Sequence, residues 1–89
     1  MADELGGPGW YTCSVVRTGP AEGGDVVVML HHEHPNKVFT DRWFVAVEKV
    51  KQEMLAVALF ALASGYKVTA LLEDSEQYAV CKRLYMVRP

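Results

Sequence analysis

Four consecutive residues, His31-His32-Glu33-His34, hold the densest set of metal-ligating groups in the chain. Neutral imidazole nitrogens and a carboxylate oxygen suit zinc, nickel or copper. In extended chain alternate residues share a face, so His32 and His34 converge while His31 and Glu33 point the other way. Two ligands on one face make a weak site that needs a third donor from elsewhere. The HExxH spacing of metalloproteases is absent, and Pro35 follows at once, which argues against a helix here. The plainer expectation is a solvated polar loop with no resident metal and no other cofactor.

Asp41-Arg42-Trp43-Phe44 is the second cluster. An indole face packs on sugar C–H groups or on a protein surface, while a neighbouring carboxylate and guanidinium bind hydroxyls. Asp41, Arg42 and Trp43, joined by Tyr11, are therefore the candidate ligand contacts. The competing expectation is structural. Trp43 and Phe44 then straddle a strand-to-helix corner with one of them plugging the core, and Trp10 and Tyr11 cover a barrel end. Nucleophilic catalysis finds no support. Ser14 and Ser64 lack a glycine elbow, Cys13 and Cys81 lack a recognisable electropositive setting, and no glycine-rich phosphate loop opens a helix. The chain is not expected to be an enzyme.

The elements that must position these residues follow from periodicity. Residues 1 to 9 are acidic and rich in Gly and Pro, and are expected to be a disordered lead-in to one domain over 10 to 89. Tyr11, Cys13 and Val15 alternate with polar residues, so residues 10 to 18 predict a strand. Gly19-Pro20 and Gly23-Gly24 bracket a turn, and residues 25 to 31 (DVVVMLH) form its hairpin partner, apolar enough to predict burial on both faces for part of its length. A third strand is expected over 37 to 44. A helix is expected from about Ala46 to Ser64, stopped by Gly65 in the left-handed conformation. Residues 66 to 72 and 78 to 87 complete five strands. The order β-β-β-α-β-β predicts an all-β domain with one helix, the five-stranded OB-fold barrel, with a helix laid across an antiparallel sheet as the alternative.

Composition narrows the function classes. Eighty-nine residues make one small domain, and 51% hydrophobic content is high for so short a chain. A formal charge of -2 offers no electrostatic footprint for nucleic acid. The longest apolar run, residues 54 to 63, is too short to span a membrane. Two cysteines are too few for a disulfide scaffold, and buried free thiols are favoured over a Cys13–Cys81 bridge. The opening MADELGGPG carries no secretory pattern, so the expected location is cytoplasmic as written, or secreted if a leader has been removed.

The helix is the most informative segment. Val50, Met54, Val57, Ala58 and Ala61 make one apolar stripe, and Leu55, Leu59 and Leu62 a second. A helix that caps a monomeric barrel needs one stripe only. Val50, Met54, Leu55, Val57, Leu59 and Leu62 are thus the candidate oligomer interface, and a homo-oligomer is expected.

The segments VVRTGPAEGGDVVVML, FTDRWF, KQEMLAVALFALASGYKVTALLE and KRLYMV resemble the OB-type B subunits of bacterial pentameric toxins of the subtilase-cytotoxin and typhoid-toxin type, and their small bacterial relatives. Ser64-Gly65 running into a K-V-x-A-x-L strand carries the likeness, as does the closing RLYMV. The resemblance implies a ring, a pentamer by preference, with helices toward the axis and a surface that binds glycan or another protein. The other functions an OB-type barrel suggests are single-stranded nucleic-acid binding, with Tyr11, Phe39, Trp43 and Tyr85 as aromatic platforms, and ligand-free structural assembly.

Overall fold

The computed structural model describes residues 6–88. Five strands, β1 (Gly9–Pro20), β2 (Val26–His32), β3 (Arg42–Ala46), β4 (Val68–Leu72) and β5 (Val80–Met86), close into a barrel in the order β1-β2-β3-β5-β4. One helix, α1 (Lys51–Ser64), lies between β3 and β4, preceded by a single 3-10 turn over Glu48–Val50. The expected fold class and element order are those observed. Of the lead-in expected over residues 1–9, residues 1–5 lie outside the described residues. Gly9 already belongs to β1, and Gly7 is tied down, its carbonyl accepting a 2.6 Å hydrogen bond from the Tyr11 hydroxyl.

Closure depends on β1, which is long enough to serve two neighbours. Its first half pairs antiparallel with β4 and its second half with β2, and Cys13 is paired on both sides, to Val68 and to His32. A bulge between Val15 and Arg17 bends the strand between these halves, the device by which a sheet curls onto itself. The barrel shuts through a short parallel pairing of β3 with β5, Val45 with Val80 and Ala46 with Cys81.

Period-two alternation fills the interior. Tyr11, Cys13 and Val15 point inward from β1, Val26, Val28, Leu30 and His32 from β2, Phe44 and Ala46 from β3, Val68, Ala70 and Leu72 from β4, and Cys81 and Leu84 from β5. The two-sided burial expected for β2 is not found. Val27 and Met29 are half-buried, because the barrel has a single interior and α1 covers only part of its outside.

Several boundaries differ from the sequence expectation, those of β3 and α1 most. Gly19 and Pro20, expected in the turn, pair with Val27 and Val26 and extend β1, and β4 and β5 begin two residues later than expected, at Val68 and Val80. Residues 37 to 41 form a loop rather than the start of β3, although Phe39 from that loop is buried against Tyr11, His32 and Phe44. Ala46 ends β3 instead of opening the helix, because its ladder partner Cys81 lies far along the chain, beyond the reach of local periodicity. The helix begins at Lys51 and stops where expected. Gly65 takes φ 79°, and its N–H donates to the Ala61 carbonyl at 2.8 Å. A residue with a Cβ would be strained in that backbone conformation.

The two cysteines are free and buried. Cys13 sits opposite Val68 of β4 and Cys81 opposite Leu72, an offset of four residues, or about 13 Å along the strand, which places them beyond disulfide reach. Burial pushes the Cys81 thiol from 9.0 to about 12, only partly opposed by its hydrogen bond to the Arg83 carbonyl. Folding therefore favours the protonated thiol. That contribution is complete below pH 9 and is lost as pH rises toward 12. A thiol reagent at pH 8 is expected to find no fast-reacting cysteine in the folded protein and two in denaturant. Rapid native labelling of either thiol would contradict this packing.

Candidate interaction surface

The histidine cluster divides as strand alternation requires. His32 points into the barrel and is fully buried, its ring 5.1 Å from that of Tyr11 and 5.3 Å from that of Phe39. Its Nδ1 accepts the Val38 N–H at 3.1 Å, which assigns the hydrogen to Nε2. His34 stacks on His32 at 5.6 Å, and its Nδ1 accepts the Asn36 N–H at 3.0 Å. The Nδ1 atoms of both candidate metal ligands are thus committed to loop backbone. Among the described residues no group of three or more His, Cys, Asp or Glu side chains is placed to hold a metal ion.

His31 and Glu33 face outward, as expected. His31 lies between two carboxylates, with Nδ1 3.2 Å from Asp41 and Nε2 3.9 Å from Glu33. Glu33 also accepts the Ser14 hydroxyl at 2.8 Å and lies 3.9 Å from the Lys67 ammonium. Such a solvent-facing network contributes little to stability. Its structural effect is to hold the β2–β3 loop against the barrel wall.

The four candidate ligand contacts do not converge. Tyr11 is wholly inside the core, so the structure removes it from any ligand surface. Asp41 is engaged by His31. The Arg42 guanidinium lies 5.7 Å from the Phe39 ring centroid, and its Nη1 donates to the Ser75 carbonyl. Arg42 thereby ties the Phe39 loop to the turn between β4 and β5. Trp43 alone keeps an accessible ring, half-buried on the outside of β3, while Phe44 fills the core.

The turn beside Trp43 is strained. The Trp43 N–H donates to Gln77 Oε1 at 2.7 Å, and the Trp43 carbonyl accepts the Tyr78 N–H at 2.7 Å. Tyr78 stands at φ 65°, the only non-glycine residue with positive φ among the described residues, and is 61% exposed. A bulky residue there costs about 1–2 kcal/mol. Sequence patterning gave no signal for it.

Helix α1 shows where the surplus apolar surface lies. Met54, Ala58 and Ala61 are buried on the barrel, and Leu55 and Val57 are partly buried beside them. Met54 is therefore excluded from the expected oligomer interface, because it belongs to the core of its own chain. Leu59, Phe60 and Leu62 remain 48%, 55% and 42% exposed. Phe60 was not among the expected interface residues, yet it is the most exposed of the three. Leu62 also lines a shallow pocket with Trp43 and the β1–β2 hairpin, continuing the apolar surface onto the barrel. On the other side of the helix, Val50, Met54 and Val57 line a groove of about 640 Å³ against Leu84 and Tyr85 of β5.

Two of the aromatic platforms considered for nucleic acid, Tyr11 and Phe39, are buried and cannot stack on bases. No helix among the described residues is long and apolar enough to cross a membrane. No family model, curated protein or solved structure matches the chain.

Replacing Tyr78 by Gly relieves the positive φ but adds glycine's entropic cost, so the net change is expected to lie between zero and a gain of about 1 kcal/mol. Urea denaturation checks this. A loss greater than about 1 kcal/mol would show that the Tyr78 ring packs instead of standing in solvent.

Proposed function

We propose that the chain is a non-enzymatic binding module that assembles with copies of itself through the outer face of α1, in the manner of toxin B subunits. The observation that carries this reading is the exposure of Leu59, Phe60 and Leu62 on one helix. From Met54 to Tyr66 there is no charged side chain, so two such faces can meet without stranding a buried charge. Ala56 and Ala63 are exposed between the larger residues and allow close approach of a neighbouring helix.

Successive helical residues turn by about 100°, which sets Phe60 and Leu62 roughly 160° apart around the helix. One partner cannot cover both. A ring gives each copy two neighbours and covers both flanks, and this supports a cyclic assembly over a simple dimer. Half-exposed side chains of this size gain on the order of 1 kcal/mol each when buried, so assembly through several such contacts is favoured over an isolated pair. The ligand, a glycan or another protein, would meet the ring on the barrel exterior around the half-buried Trp43 and the exposed Tyr78 of the strained turn.

Light scattering after size exclusion at micromolar concentration tests the assembly. The wild-type chain is expected to be larger than a dimer, and Leu59→Glu/Phe60→Glu to be monomeric with an unchanged circular dichroism spectrum. A strictly monomeric wild type would overturn the reading. A glycan array probed with the assembled protein then separates glycan from protein partners.

A further inference from the structure

The groove between α1 and β5 has the anatomy of a small-molecule site. Val47, Val50, Met54, Val57 and Leu84 form an apolar lining, and a volume of about 640 Å³ lies within the range of ligand pockets. The charges at its rim come from both walls. Lys49 and Glu53 stand on the helix side, Glu73 follows the end of β4, and Lys82 and Arg83 stand together on β5. Among the described residues none of these five makes an ion pair.

The pair on β5 has a structural cause. Ladder pairing runs from Leu71–Arg83 to Leu72–Cys81, so Lys82 is the extra residue of a β-bulge. Regular alternation would put one of two consecutive side chains inside the barrel. The bulge lets both Lys82 and Arg83 stay exposed while Cys81 and Leu84 remain buried. Two adjacent cations are thereby held beside an apolar cleft, and bulges recur where a strand must re-aim side chains at a site.

We propose that this groove binds a single-chain alkyl carboxylate, with the chain on the apolar lining and the carboxylate at Lys82 and Arg83. The three cations of the lining outnumber its two carboxylates, and two of the three, Lys82 and Arg83, are exposed neighbours on β5. An anionic head is favoured there over a neutral or cationic one. The site uses the N-terminal half of α1, and Leu59, Phe60 and Leu62, which carry the proposed assembly face, do not line the groove. The two proposals can therefore be tested with separate variants.

Calorimetry with sodium decanoate, below its micelle-forming concentration, tests the proposal, with decanol and decyltrimethylammonium as comparisons. Decanoate is expected to bind at least about tenfold more tightly than either. Lys82→Gln/Arg83→Gln is expected to remove that advantage and leave decanol binding unchanged, while Val50→Glu, at an exposed lining position, abolishes binding of both. No heat with decanoate, equal affinity for the anionic and cationic chains, or a double variant that binds decanoate as wild type does would each overturn it. The same titrations on the monomeric Leu59→Glu/Phe60→Glu variant are expected to match the wild type.

Discussion

The structure turns on one strand that serves two neighbours. Because Cys13 pairs with β2 on one side and β4 on the other, β1 must bend within a few residues, and the bulge after Val15 supplies the bend. Once β1 is bent, the positions of β2 and β4 follow, and the short parallel pairing of β3 with β5 is left to shut the barrel. A closed barrel has no free edges to protect, but its interior is narrow and filled by side chains. Every inward position is consequently committed to packing. This is why Tyr11 and His32, two of the chain's more chemically versatile residues, serve as core.

The helix inherits the same constraint. A small barrel presents limited outside surface to a single helix, and the contact is made by Met54 and two alanines, Ala58 and Ala61. Small residues bring the helix close but occupy little of its circumference. Its larger apolar side chains, Leu59, Phe60 and Leu62, are left on the outside. In a water-soluble monomer those positions would be expected to be polar. Their apolar character is a property of the sequence that the fold of one chain does not use, and it is the basis of the assembly reading.

Much of the fold was legible because its determinants are local. Tyr11-Cys13-Val15 and Val68-Ala70-Leu72 alternate as inward faces should, and Gly65 marks the helix end by the backbone conformation it alone adopts cheaply. The errors fall where the deciding contact is distant. Residues 37 to 39 carry strand-like residues, yet Phe39 is apolar because it plugs the barrel from a loop. Ala46 looks like the start of a helix, yet the β5 backbone claims it. His32 is indistinguishable from a surface histidine until the Val38 N–H and the rings of Tyr11 and Phe39 surround it.

The candidate surfaces were legible in proportion to the same distance. The excess apolar stripe on α1 belongs to one segment and was visible in the sequence, although which residues it leaves outside depended on which ones the barrel takes. The α1–β5 groove joins segments about thirty residues apart, and its cation pair depends on a register shift that no periodicity encodes. Lys82-Arg83 in a regular strand would send one charge inward, at a desolvation cost of several kcal/mol. The bulge avoids that cost while keeping Leu84 in the core. Removing either cation is therefore not required by packing, and retaining both beside an apolar cleft is what gives the groove its preference for an anion.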